Sequence, residues 1–124
     1  MANVSVFDMG AGAPAVLETD TVAPAAARQQ VPCRKDSRLC VRVCNADAQT
    51  DVIARVKAGG GPRAALGDMD IAVDAGETAY IALWDTARFK DMENGTVTVE
   101  MLDADEEQLD AQALANVSIE AVQL

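Results

Sequence analysis

Twenty Asp and Glu side chains and no histidine restrict the chemistry open to this chain, because acid–base work near neutral pH most often recruits an imidazole. Asp103, Asp105 and Glu107 alternate as at the head of a calcium loop. However, Gln108 stands where that loop needs glycine, and Leu114 where it needs a bidentate glutamate. The stretch reads as a solvated acidic bulge. "GGGPRA", residues 59–64, matches G-x-G-x-x-A, yet Pro62 interrupts it and no helical pattern follows to offer its dipole to a pyrophosphate. It is expected to be a plain loop.

Cys40 and Cys44 stand four apart in an alternating segment, which in a strand separates them by about 13 Å, beyond disulfide reach. With Cys33 they are expected as free, partly buried thiols. Lacking histidine and any C-x-x-C pair, they make no zinc site. A carboxylate pair for glycoside hydrolysis would want an aromatic-lined cleft, and Phe7, Tyr80, Trp84 and Phe89 are all the aromatics there are. There is no G-x-S-x-G elbow or Walker loop. The expectation is a protein that is not an enzyme, with no catalytic, cofactor-binding or metal-ligating residues and no cofactor. The sequons at Asn3, Asn94 and Asn116 would matter only in a secretory pathway.

The elements that carry these residues follow from length and pattern. A chain of 124 residues, half of it hydrophobic, can bury one core and hardly two. Because that half is mostly Ala and Val, the core should be thin. No apolar run is long enough to span a membrane, and the amino terminus lacks the basic-then-apolar order of a secretory signal. A soluble protein of the cytosol is expected. Net charge is −10, unevenly spread: residues 28–63 hold eight of the ten bases and three acids, and residues 64–124 hold two bases and fourteen acids. The bases are spread through strands without interleaved aromatics, which opposes nucleic-acid binding. Two readings stay open, ordinary solvated strand faces or complementary patches that meet between subunits.

Residues 1–32, with three of the four prolines and many alanines, are expected as an extended N-terminal arm. It could add an edge strand at residues 3–7 but would need partner surface to order the rest. From Leu39 apolar and polar positions alternate: Leu39, Val41 and Val43, then, after the turn at 45–51, Val52, Ala54 and Val56. This pattern predicts two antiparallel strands. Residues 58–68 form a loop into Met69, Ile71 and Val73, and "DAGET" turns that strand into Ala79, Ile81 and Leu83, with Tyr80, Ala82 and Trp84 on the opposite face, although Trp84 is expected to pack in the core. Residues 87–91 should make one helical turn or loop that drops Phe89 onto the core. Asn94-Gly95 is read as a tight two-residue hairpin turn opening a strand at about Thr96. Residues 103–116 should form a short helix or extruded loop before a final strand in "VSIEAVQL". The fold class is all-β: a single antiparallel β-sandwich, Ig-like or jelly-roll-like, over residues 33–124, with the arm at 1–32.

The run "GDMDIAVDAGETAYIALWDTARFKDMENGTVTVEML", the earlier "RVCNAD" and the terminal "ANVSIEAVQL" together resemble the small β-sandwich capsid decoration, or cement, proteins of tailed bacteriophages. The likeness covers about residues 31–124. It departs from the pattern in the inserted "DADEEQLDAQAL" and in "ALWDT", which stands in place of a Gly-Pro-Phe-like segment. The resemblance implies a structural virion protein, made in the bacterial cytoplasm, that binds the outer capsid surface and clamps neighbouring major capsid subunits. Residues 2–32 would lie across one of those neighbours. Its partners would be the major capsid protein and further copies of itself, a trimer among the options, with neither nucleic acid nor membrane. The alternatives are a head-to-tail connector or tail component, or an Ig-like adhesion or carbohydrate-binding module whose signature would be surface aromatics.

Overall fold

A computed structural model describes residues 2–3, 6–8, 27–33, 38–84 and 86–123. Its strands are β1 (Ala2–Asn3), β2 (Val6–Asp8), β3 (Arg28–Pro32), β4 (Leu39–Asn45), β5 (Val52–Val56), β6 (Met69–Val73), β7 (Thr78–Leu83), β8 (Lys90–Asp91), β9 (Thr96–Leu102) and β10 (Val117–Gln123). Two one-turn helices, α1 (Thr86–Phe89) and α2 (Ala111–Leu114), interrupt them. One sheet runs β1-β3-β9-β5-β6 with β8 also on β9, and the other runs β2-β10-β4-β7. Strands β3 to β7, β9 and β10 each turn one apolar face inward. Val41, Val43, Ala54, Val56, Val97, Val99, Met101, Ile119 and Ala121 have no exposed surface at all, which makes an all-β sandwich with the Ala/Val-rich core that composition implies.

The expected strands at 39–45 and 52–56 exist and run antiparallel, but they do not pair. β4 bonds to β10 and β7, while β5 bonds to β9 and β6. Residues 45–51 therefore arch from one sheet to the other, and residues 74–77 arch back, from β6 to β7. Alternation specifies a strand with one apolar face; it does not specify which sheet that face belongs to.

The hairpin after α1 also differs from expectation. Lys90 faces Val97 and Asp91 faces Thr96, so the connection spans residues 92–95 and not Asn94-Gly95 alone. Only Gly95 is left-handed, at φ 68°. Asn94 instead donates its amide to Asp91 Oδ2 at 2.9 Å, while the Gly95 N–H reaches the Asp91 carbonyl at 2.7 Å. An aspartate that can cap its own turn makes the longer loop the better-bonded one. Phe89 is buried, as the helical turn preceding the hairpin requires.

At the other end of the chain order, residues 28–32, expected in the arm, form β3. It pairs along its length with β9 and buries Gln29 and Val31 completely. β1 lies parallel to β3 in one sheet, and β2 lies parallel to β10 in the other. Residues 2–3 and 6–8 thus pair with different sheets, where a single edge strand at 3–7 was expected. Residues 9–26 of the expected arm lie outside the described residues.

Candidate interaction surface

The two bare readings of the charge pattern resolve residue by residue. Arg28 pairs with Glu100 at 3.1 Å, Arg42 with Glu120 at 3.0 Å, Arg55 with Asp70 at 2.7 Å and with Glu106, and Lys57 with Asp68 at 2.8 Å. Each pair joins a base of the segment 28–63 to an acid of the segment 64–124. Strand pairing brings these segments side by side, so the cross-strand charges meet within one chain. Arg55 holds the Asp70 carboxyl below the usual carboxylate range. The Ala58 N–H at 2.6 Å, and then Lys57, do the same for Asp68. A cavity of about 300 Å³ is lined by Arg28, Lys57, Thr98 and Asp91. Its two cations are the ones already held by Glu100 and Asp68.

What remains unbalanced lies at the two ends of the sandwich. Both arches and residues 103–116 share one end, where Ala46 N–H bonds to the Asn116 carbonyl at 2.8 Å. These three links hold nine acids and no base. Residues 57–68 and α1 with its hairpin form the opposite end, which carries Lys57, Arg63, Arg88 and Lys90 against Asp68, Asp91 and Glu93 among the described residues. Here the surface is also apolar: Leu66 is 57% and Met92 63% exposed. Pro62, Ala87 and Met92 line a shallow cavity of about 160 Å³ beside Lys90.

The glycine run that resembled a phosphate loop is part of this end and packs tightly on α1. A side chain at Gly59 would begin 2.1 Å from the Lys90 carbonyl oxygen, and one at Gly61 2.6 Å from that of Ala87. Arg88 fastens the same loop by donating to the carbonyls of Gly67 and Asp68 at 2.8 and 3.0 Å. Close backbone approach is what the glycines serve.

At the acidic end, Asp103 turns its Oδ1 onto the N–H groups of Asp105 and Glu107 at 2.9 and 3.0 Å, capping its own loop. The acids are exposed as expected, but the segment is more than a solvated bulge. Leu109 and Leu114 are 7% and 5% exposed within the core, and Leu109 N–H bonds to the Met101 carbonyl. Among the described residues no group of three or more Cys, Asp or Glu is placed to hold a metal ion. Cys33, Cys40 and Cys44 form no disulfide, Cys33 being buried and the others half-buried.

β7 gives the third surface and a correction. Trp84, expected in the core, is 72% exposed, and Tyr80 is 71% exposed. Both follow the outward parity of β7, where Ile81 and Leu83 take the inward positions. On the adjoining outer face Tyr80 faces Arg42, which in turn faces Glu120, and a cavity of about 190 Å³ opens between them, Cys40 and Val122. Burial pushes the Cys40 thiol up. Burial pulls the Arg42 guanidinium down, but Glu120 and Tyr80 together hold it above its usual value. Period-two alternation already placed Trp84 on the face of Tyr80, opposite Ile81 and Leu83, and it was the size and apolarity of the indole that suggested burial.

Comparison of the chain with protein-family models, with curated proteins and with solved structures finds no match. No described helix is long and apolar enough to cross a membrane.

Proposed function

We propose that this protein is a structural virion component, a decoration protein that binds the outer surface of a phage capsid and bridges neighbouring major capsid subunits. One observation carries the reading beyond the sequence resemblance: the molecule is polarised end to end. The end built on α1 combines exposed Leu66 and Met92 with nearly balanced charge, Lys57, Arg63, Arg88 and Lys90 against Asp68, Asp91 and Glu93, whereas the links at the other end are uniformly acidic. Apolar side chains on the end that lacks the acidic excess suit docking onto a protein surface, and the acidic end would then face solvent and repel neighbouring particles. The rigid body needs no chemistry for this role.

The test is co-sedimentation with decoration-free capsids assembled from a tailed-phage major capsid protein. Wild-type protein should pellet with capsids at hundreds of copies per particle. Leu66→Asp/Met92→Asp should remove that binding while keeping the melting temperature. Failure of the wild-type protein to pellet sinks the reading, and a stoichiometry of about a dozen would favour a connector ring.

Exposed Tyr80 and Trp84 favour a second reading, a carbohydrate-binding or adhesion module. Trp84 is the only tryptophan, so its fluorescence reports directly on glycan binding. No quenching across a panel of bacterial surface glycans would dismiss that reading.

A further inference from the structure

We propose that β7 is a homodimer seam, through which two copies pair antiparallel about a two-fold axis beside Ile81 and merge their four-stranded sheets into one. The inference rests on the strand edge alone and is independent of the capsid reading. β7 ends its sheet, and among the described residues no strand pairs with its outer side. The direction of its free groups follows from the ladder. Asn45 N–H bonds to the Glu77 carbonyl at 2.9 Å, so odd-numbered residues of β7 turn their backbone toward β4. Thr78, Tyr80 and Ala82 therefore turn theirs outward.

Edges left open are normally made short or are guarded by charge or proline, since unpaired backbone recruits other strands. The other edge strands obey this rule: β1 and β8 have two residues each, β2 has three, and β6 carries Asp70. β7 does not. Residues 78–84, "TAYIALW", hold no charge, proline or glycine, in a chain of net charge −10 whose other outer strand faces carry ion pairs. An uncharged seam is what lets two such acidic molecules approach.

A second copy fits because the strand is complementary to itself in one register. With the axis beside Ile81, Tyr80 faces Ala82 of the second copy and Trp84 faces Thr78. Each bulky outward side chain then meets a small one. On the inner side Ile81 meets Ile81 and Ala79 meets Leu83. Tyr80 and Ala82, whose backbone groups both point outward, exchange the N–H to C=O bonds. Moving the axis to Tyr80 sets the two tyrosines against each other, and moving it to Ala82 sets Tyr80 against Trp84.

Sedimentation equilibrium of the full chain, from micromolar to near-millimolar concentration, tests the seam. Wild-type protein should reach twice the monomer mass and associate more tightly as salt screens the net charge. Tyr80→Lys/Ala82→Lys puts like charges opposite each other at both facing positions and should sediment as monomer. Tyr80→Lys/Ala82→Glu turns the same positions into two opposite-charge pairs and should restore the dimer. Because the two variants alter the same exposed residues, circular dichroism of the second also controls for folding of the first. A monomeric wild type, a dimer that survives the double lysine, or a lysine/glutamate variant that stays monomeric each overturns the proposal.

Discussion

Asn45 Nδ2 donates to the carbonyl of Val73 across 3.2 Å, joining the last residue of β4 to the last residue of β6 and so one sheet to the other. The same amide reaches the Thr50 carbonyl at 2.7 Å, its Oδ1 accepts from Asp47 N–H at 3.2 Å, and its own N–H meets Glu77 O at 2.9 Å. One wholly buried asparagine thus closes both arches. Asn45→Ala should cost about 2 kcal/mol, because it leaves buried carbonyls unsatisfied. Chemical denaturation of the variant measures this, and an unchanged midpoint would show that the arches hold without it.

Two glycines separate conformational strain from steric exclusion. At Gly95, with φ 68° and Lys90 Cε the nearest atom at 4.0 Å, a side chain has room but the wrong backbone. Gly95→Val should therefore cost about 1–2 kcal/mol, with Gly95→Asn milder. At Gly59 the Lys90 carbonyl blocks any Cβ, so Gly59→Ala should cost more than Gly95→Val despite its smaller side chain. Thermal melting of the three variants gives the order, and a Gly59→Ala protein as stable as the parent would contradict the packing of the loop on α1.

Acid should weaken the fold through the pairs on the six-stranded sheet. Asp68 and Asp70 have folded pKa values depressed by the Ala58 N–H and by Arg55 respectively. Their contribution is therefore complete above the unfolded value of about 3.9 and is lost as pH falls through the lower folded values. Both carboxylates are partly exposed, so each contribution is small. The melting temperature should fall as pH drops below about 4, and the fall should be shallower in Asp68→Asn/Asp70→Asn. Identical slopes in parent and variant would place the acid sensitivity elsewhere.

Deleting residues 2–30 removes β1, β2 and most of β3. It strips β9 of one of its three partner strands and uncovers Val97 and Val99, so the melting temperature should drop by at least about 10 °C. Differential scanning calorimetry decides it. A truncated protein that melts with the parent would make the whole of residues 1–32 a dispensable arm.

Local chemistry was legible in the residues themselves. Alternation through Val41 and Val43, Val52 and Val56, and Val97 and Val99 marks strands, because a strand's two faces meet different solvents. Gly95 marks a turn that needs positive φ, and Phe89 marks a ring laid on the core. Partner choice was not legible. Nothing in 39–56 says that β4 and β5 belong to different sheets, because the same alternation serves a hairpin and an arch alike. Leu109 looks like part of an acidic loop until Met101 is found beside it, and Asn45 looks like an ordinary turn residue until Val73 arrives from another strand. Trp84 counts as core by its chemistry and as surface by its parity with Tyr80 on β7. The sequence by itself determined which segments are strands and which face of each is apolar, since those depend on neighbours in the chain. Only the tertiary structure decided which strands stand at the edges, which bases find which acids and which aromatics stay in water, since those depend on residues distant in sequence that packing alone brings together.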